Sequence, residues 1–179
     1  VKEISSYALC KSFYGSDITE FVADDVVYVN GSDALNCVCY MCGRLKRISF
    51  ASLEEVVGYS AMEDAFYTIA NKIDEVYMPK LKRISGGYCM RKAFNTGNSM
   101  YPLSYADVFP ALEEVEGSYA LADTIVYPTS PRRFPSLRKI VGSRFYYEPT
   151  FGSFWMSGSS SYIFEFPELT DISGYVFLI

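Results

Sequence analysis

Two pairs of adjacent carboxylates are the first residues in the sequence that could carry out chemistry. They are Glu54-Glu55 and Glu113-Glu114, and each pair lies between two apolar residues and shortly before a glycine. Paired carboxylates can act as general acid and base, for example in the cleavage of a glycosidic bond. The chain contains no His, which excludes Ser-His-Asp and Cys-His catalysis and His-containing zinc sites. These carboxylates therefore either form a site of their own or belong to a structural pattern.

The second group with possible chemistry is the cysteine-rich segment "CVCYMC", residues 37–42. Its three thiolates could ligate zinc, with Cys10 as a fourth ligand. The five cysteines of the chain are odd in number and irregular in spacing, unlike a disulfide framework. Buried free thiols, a disulfide and a metal site all remain open, and the sequence favours buried free thiols. We expect no bound metal and no cofactor.

Both carboxylate pairs lie inside a repeated unit that extends along the whole chain. The unit reads L-x-x-[IV]-x-G, followed by x-x-[AC]-[LM], and its apolar pair occurs seven times at intervals of 25 to 32 residues. Its leading apolar positions are Val1, Val26, Leu53, Leu81, Leu112, Leu137 and Leu169. Its second apolar positions are Ile4, Val29, Val56, Ile84, Val115, Ile140 and Ile172. Glycine follows two residues later in six of the seven units.

A second short apolar element precedes the first in several units. It is clearest in "LKRISFA" from Leu45 and in "IDEVYMP" from Ile73. Each unit therefore predicts two short strands, a Pro turn, a Gly turn and an Ala-Leu or Ala-Phe plug formed by a turn or a short helix. One unit cannot bury its apolar face alone, so the units must stack. We predict a single β-rich solenoid domain of about seven repeats over residues 1–179, as a portion of a longer protein.

The order L-x-x-I-x-[FM]-P-x-L-x-x-I-x-G-x-x-A-[LM] resembles the BspA-like, Treponema-type leucine-rich repeat, and the resemblance covers essentially the whole chain. It implies a right-handed leucine-rich-repeat solenoid with parallel strands on its concave face. It also implies a secreted or cell-surface protein that binds other proteins, including host or matrix proteins, without catalysis. The chain departs from the family pattern by one extra residue before the Gly, by variable unit length and by the absence of the usual Cys.

The residues between the two apolar positions alternate in charge along four neighbouring units. They are Glu54-Glu55, Lys82-Arg83, Glu113-Glu114 and Arg138-Lys139. Equivalent residues of adjacent parallel strands lie about 4.8 Å apart, and opposite charges at that distance attract. We therefore interpret the carboxylates as part of a cross-strand ladder, with Lys82 between Glu54 and Glu113 and with Arg138 beyond Glu113.

The strand that begins each unit predicts a candidate ligand-binding surface. The residues that flank its inward apolar positions are Glu20, Val22, Arg47, Ser49, Glu75, Tyr77 and Glu165. On these strands we also expect Lys46-Arg47 to lie beside Asp74-Glu75. A mixture of charge and Tyr suits a protein ligand better than nucleic acid. The net charge of −5 and the absence of a broad Lys/Arg cluster also argue against a nucleic-acid partner.

Two irregular insertions, residues 95–108 and 145–164, interrupt the repeat. The second contains Trp155, the only Trp, among Tyr, Ser and Gly. Such mixtures are favoured at recognition surfaces, because large rings give contact area at low entropic cost. We therefore add Trp155 to the candidate surface. The alternative is that these loops pack their own rings over the flank of the solenoid.

The functional prediction combines these features. No apolar run approaches the roughly 18 residues that a membrane helix needs, so we predict no membrane span. We predict a non-catalytic protein-interaction or adhesion module, located outside the cell or on its surface. The alternative is an architectural spacer or stalk that presents another domain. We do not expect an enzyme, and the sequence assigns no oligomeric state.

Overall fold

The computed structural model describes residues 1–68, 73–95, 103–125, 132–143 and 163–175. The chain folds into a β-rich parallel solenoid of about five turns with almost no helix. Its strands are β1 Glu3–Ser5, β2 Glu20–Val22, β3 Tyr28–Asn30, β4 Arg47–Ser49, β5 Glu55–Val57, β6 Glu75–Tyr77, β7 Arg83–Ser85, β8 Glu114–Glu116, β9 Arg132–Arg133, β10 Lys139–Gly142, β11 Phe164–Glu165 and β12 Asp171–Gly174. The described residues contain one helix, α1 Tyr105–Val108.

The first wall of the solenoid is a seven-stranded parallel sheet in the order β1-β3-β5-β7-β8-β10-β12. The second apolar positions of the seven predicted repeats lie opposite one another in this sheet. Their register runs Ile4, Val29, Val56, Ile84, Val115, Ile140 and Ile172. The sequence alignment of the repeats therefore predicted the strand register of this wall correctly.

The second wall consists of a three-stranded sheet, β2-β4-β6, and a two-stranded sheet, β9-β11. The helix α1 lies between β6 and β9 in the chain, so the second wall is divided at this turn. The side chain of Ser104 caps the helix, because its Oγ accepts a hydrogen bond of 3.0 Å from the backbone N–H of Asp107. Tyr105 is fully buried, with its ring centroid 4.8 Å from that of Phe134. The described part of the first insertion thus packs onto the solenoid.

The core lies between the two walls and is filled by apolar side chains from every coil. The leading positions Leu53, Leu81, Leu112 and Leu137 are almost fully buried. Phenylalanine rings of successive coils also stack on one another in the core, with 5.7 Å between the centroids of Phe66 and Phe94. At the ends of the stack some repeat positions are open: the leading position Val1 is 90% exposed, and the second apolar position Ile172 is 54% exposed. Burial in this fold therefore depends on neighbouring coils on both sides.

The glycines of the repeat form a column along the solenoid. Gly31, Gly58, Gly86 and Gly117 all have positive φ, between 123° and 136°. A Cβ built on any of the last three would lie 2.3–2.4 Å from the carbonyl oxygen of the glycine in the preceding coil. The repeat therefore requires glycine for two reasons, because the backbone conformation disfavours side chains and the coils leave no room for one.

The predicted plug does not form a short helix. It is a turn ribbon, which we define as residues 7–15, 33–41, 60–66, 88–94 and 119–123. A residue with positive φ recurs every fourth position, as at Tyr7 and Lys11 and again at Ser60 and Asp64. This spacing interrupts a right-handed helix at every turn. The plug is thus a turn, one of the two predicted forms, and most of its Ala, Leu, Met and Phe side chains are buried as expected, although Phe13 in the first coil is 39% exposed.

Backbone hydrogen bonds join the turn ribbon to the next coil in an alternating pattern. In the first coil, the N–H groups at odd positions from Tyr7 to Gly15 donate to carbonyls of residues 32–40 at 2.8–3.1 Å. The N–H groups at even positions from Ala8 to Ser16 donate to the carbonyl three residues earlier. Half of the ribbon's donors therefore close local turns, and the other half tie successive coils together.

Candidate binding faces

The outward face of β2, β4 and β6 carries the predicted candidate surface. Arg47 lies between Glu20 and Glu75 in the strand register. Its guanidinium contacts the carboxylate of Glu20 at 3.8 Å and that of Glu75 at 3.0 Å. The N–H of Asp74 also donates to the carbonyl of Lys46. The expected pairing of Lys46-Arg47 with Asp74-Glu75 is confirmed.

The second outward row of this sheet is Val22, Ser49 and Tyr77. Val22 is 51% and Tyr77 44% exposed, as predicted. The prediction is wrong for Ser49, which is fully buried. Its hydroxyl donates to the Oδ1 of Asp24 at 2.5 Å, and the loop that carries Asp24 covers it between the larger Val22 and Tyr77. The available surface therefore consists of two apolar patches flanking a covered serine.

Asp24 is the carboxylate that holds this loop on the sheet. Its Oδ1 also accepts a hydrogen bond of 3.0 Å from the N–H of Ala51. The hydrogen bonds from Ser49 and Ala51 lower the pKa of Asp24 below its ordinary value of 3.8. The carboxylate form therefore stabilises the fold above that pH, and this contribution is lost as the pH falls through the lowered value.

We expect the Asp24→Ala variant to lower the free energy of unfolding by about 2 kcal/mol at neutral pH, because Ser49 would be left buried without its partner. The difference from the wild type should shrink below pH 3.8, as the wild-type carboxylate becomes protonated. Urea unfolding of both proteins at several pH values measures this. The neighbouring exposed Asp25 provides the control variant Asp25→Ala. A difference that stays constant with pH would contradict the role of the Asp24 carboxylate.

The remaining predicted residues lie beyond this sheet. Glu165 is opposite Arg133 in the β9-β11 pair, and its carboxylate is 3.8 Å from the guanidinium of Arg133. The structure therefore places Glu165 on the second wall, as predicted, but on the other side of α1 from Tyr77. Trp155 and most of the second insertion lie outside the described residues.

The outward face of the seven-stranded sheet carries the charge ladder. One row of the register runs Glu3, Tyr28, Glu55, Arg83, Glu114, Lys139 and Asp171. Arg83 lies 3.7 Å from each of the carboxylates of Glu55, Glu114 and Glu116. The ammonium of Lys139 is 3.9 Å from Glu114. One glutamate of each pair, Glu55 and Glu114, is thus confirmed as a partner in a cross-strand ladder.

The ladder runs through the second residue of each pair rather than the first. Glu54, Lys82 and Glu113 are neighbours through backbone hydrogen bonds, but no ion pair within 4.0 Å joins their side chains among the described residues. The strands begin at the second residue, whose side chain points straight out of the sheet. The predicted order of Glu54, Lys82, Glu113 and Arg138 is therefore correct for the backbone, but the ion pairs form one residue later.

A groove lies at the β1 end of this face and was missed by the sequence interpretation. Its volume is about 400 Å³, and it is lined by Glu3, Tyr28, Asn30, Glu55 and Arg83 among others. The ring of Tyr28 is 42% exposed there. The signal was present in the sequence, since Tyr28 occupies the repeat position that holds Glu55 and Arg83 in the next units.

The cysteines are free thiols, in agreement with the favoured interpretation for Cys39 and Cys42. Cys10 and Cys37 are only half-buried, so burial does not extend to the whole group. Burial raises the pKa of the Cys37 thiol to about 11 and that of Cys89 to about 12. The Sγ of Cys42 donates to the carbonyl of Phe13 at 2.9 Å. The raised pKa values keep the Cys37 and Cys89 thiols protonated at neutral pH, which disfavours metal ligation by their thiolates.

A metal site or a membrane span would each require a particular arrangement of side chains or helices. Among the described residues, no group of three His, Cys, Asp or Glu side chains is arranged to hold a metal ion. In the same part of the chain, no helix has the length and apolar character that a bilayer crossing requires.

Comparison of the chain with models of known protein families, with curated proteins and with solved structures gave no match. The exposed side chains of the two walls are therefore the basis for a functional assignment.

Proposed function

We propose that the chain is a non-catalytic module that binds a protein partner through the outward face of β2, β4 and β6. The observation that supports this most directly is the exposure of Val22 and Tyr77 in the row next to the ionic row formed by Arg47 with Glu20 and Glu75. Exposed apolar and tyrosine side chains bordered by paired charges are typical of protein-binding surfaces.

The charge of the chain and of this face indicates the class of partner. The chain has a net charge of −5, and Arg47, the only cation in the described rows of this face, is already between two carboxylates. Such a face repels a phosphate backbone, which would need several unpaired cations. We therefore propose a protein partner rather than a nucleic acid, in line with a secreted or cell-surface adhesion protein. That location rests on the resemblance of the repeat to BspA-like proteins.

We also propose that the solenoid is a right-handed leucine-rich repeat of the BspA-like type. The repeat order and the column of glycines at the turn support this assignment. An experimental structure would test it through the sense of the coil, and a left-handed coil would exclude it.

The test is capture of partners with the whole chain as bait, followed by affinity measurements with each purified partner. We expect a partner whose dissociation constant rises about tenfold, or about 1.4 kcal/mol, when Tyr77 is replaced by Ala. Tyr59 is similarly exposed but lies on the turn after the glycine column, so Tyr59→Ala should bind normally. If Tyr77→Ala and Val22→Asp leave every purified partner unaffected, this face is not the binding surface.

The second candidate function is an architectural spacer. It is favoured by the ladder on the first wall, where the Arg83 and Lys139 side chains contact carboxylates of neighbouring coils. Those charges stabilise stacking and are not free to engage a ligand. A chain that captures no partner in the same experiment supports the spacer.

A further inference from the structure

The charge alternation along the first wall is interrupted at one position. From Glu55 the row continues through Arg83, Glu114, Lys139 and Asp171, so anionic and cationic residues alternate without exception. On the other side of Glu55 the alternation requires a cation between Glu55 and Glu3. The residue there is Tyr28. One rung of the ladder therefore has an aromatic ring in place of a positive charge.

No cation lies in the row between the two carboxylates on either side of this rung. Glu55 contacts Arg83 on its far side at 3.7 Å. Glu3 is exposed and accepts a hydrogen bond of 3.4 Å from the Nδ2 of Asn30, which is a neutral amide. Neighbouring strands are about 4.8 Å apart, so the backbones of Glu3 and Glu55 are about 10 Å apart. A single cation between them would be close to both carboxylates.

The groove is at this rung. Its volume of about 400 Å³ lies over Tyr28, with Asn30 and Val57 from the second outward row at its side. The exposed face of a Tyr ring attracts a cation within about 6 Å, and more strongly where the cation is partly removed from water. The Tyr28 ring, the carboxylates of Glu3 and Glu55 and the groove are thus all at the one position of the row where the alternation of charge fails.

We propose that this groove binds a Lys or Arg side chain of a protein partner, with the cation over the Tyr28 ring and between Glu3 and Glu55. The bound cation would occupy the place in the row that Arg83 occupies two strands away. A bare metal ion fits less well, because its carboxylate ligands must all come within about 2.6 Å of it. This site is on the first wall, so it can exist whether or not the proposed face on the second wall binds a partner.

The probe for the test is a fluorescently labelled hexalysine peptide, titrated at low ionic strength with the whole chain. We expect Tyr28→Ala to weaken binding about fivefold and Glu3→Gln about threefold. The controls are matched in chemistry. Tyr175→Ala removes a similarly exposed tyrosine beyond β12, at the other end of the sheet, and Glu168→Gln removes one exposed carboxylate far from the groove. Both controls should bind as the wild type does. Absence of wild-type binding, or equal weakening by variants and controls, would overturn the proposal.

A second variant tests the missing rung without a ligand. Arginine at position 28 would supply the cation that the row lacks, so Tyr28→Arg should raise the melting temperature by about 2–4 °C at low salt and by less at high salt. The same variant should no longer bind hexalysine. A Tyr28→Arg protein that still binds the peptide as the wild type does would show that the cation does not occupy this rung.

Discussion

Replacing Gly86 by Ala is expected to lower the free energy of unfolding by about 3 kcal/mol or more, which is the largest of the expected effects. Gly86 has φ of +132°, a conformation that side chains rarely adopt. Its Cβ would also lie 2.3 Å from the carbonyl oxygen of Gly58. The backbone fixes the position of the Cβ and carries the oxygen, so the clash can be relieved only by moving one coil away from the next.

The matched control is Gly43→Ala. Gly43 has no positive φ, and a Cβ built on it meets no atom within 4 Å. We expect its effect to stay within about 0.5 kcal/mol. Chemical denaturation of the two variants measures the difference directly. Similar stabilities for Gly86→Ala and Gly43→Ala would mean that the glycine column does not constrain the stacking of coils.

Reversal of charge at Arg83 is expected to have the largest effect of any change in the charge ladder. Arg83→Glu removes the contacts with Glu55, Glu114 and Glu116 and places a fourth carboxylate among them. We expect a loss of about 1–2 kcal/mol at low salt, because the Arg83 side chain is 37% exposed and solvent screens each contact. The loss should diminish as salt is added.

Lys82→Glu is the control for this prediction, since it makes the same charge change one residue earlier. Lys82 is exposed, and no ion pair to it within 4.0 Å is present in the described part of the chain. Thermal unfolding of both variants across a range of salt concentrations separates the two positions. If Lys82→Glu costs as much as Arg83→Glu, then long-range repulsion, and not the cross-strand contacts, determines the stability.

The register of the first wall could be predicted from the sequence because the repeat and the sheet obey the same rule. Residues that occupy equivalent positions in the repeat must face the same core, so Ile4 and Ile172 fall into one row although 168 residues separate them. The second wall was harder to predict, since its signal is strong only around Leu45 and Ile73. Nothing in the repeat indicated that α1 would divide that wall.

The backbone conformation of the turn ribbon could not be predicted, because its residue types do not indicate where positive φ occurs. Positive φ occurs there at Tyr7, Lys11 and Cys37, residue types that do not usually favour it. Backbone hydrogen bonds to the next coil hold them in this conformation, for example from Tyr7 to Ser32 and from Cys37 to Glu63. A spacing of Ala, Leu and Phe alone is equally compatible with a turn and with a short helix, and the prediction therefore left both open.

The outward orientation of the side chains on the candidate surface was predicted correctly for Val22 and Tyr77 but not for Ser49, for a related reason. Alternation along a strand correctly indicated that Val22 and Tyr77 point outward. It could not indicate that Asp24 would cover Ser49, because that contact comes from a loop of the preceding coil. It also gave no reason to prefer one wall over the other, so the groove at Tyr28 was not predicted.

The alternating donors of the turn ribbon determine how the coils can change in length. The first two coils have positive φ at three positions four residues apart, ending at Gly15 and Met41, and the next coil has two, at Ser60 and Asp64. Adding or removing one residue would exchange, from that point onward, the N–H groups that close local turns with those that donate to the next coil. A change of four residues preserves both the donors and the left-handed positions. Natural insertions and deletions in the ribbon should therefore come in multiples of four, whereas the segments between ribbon and second wall can vary freely.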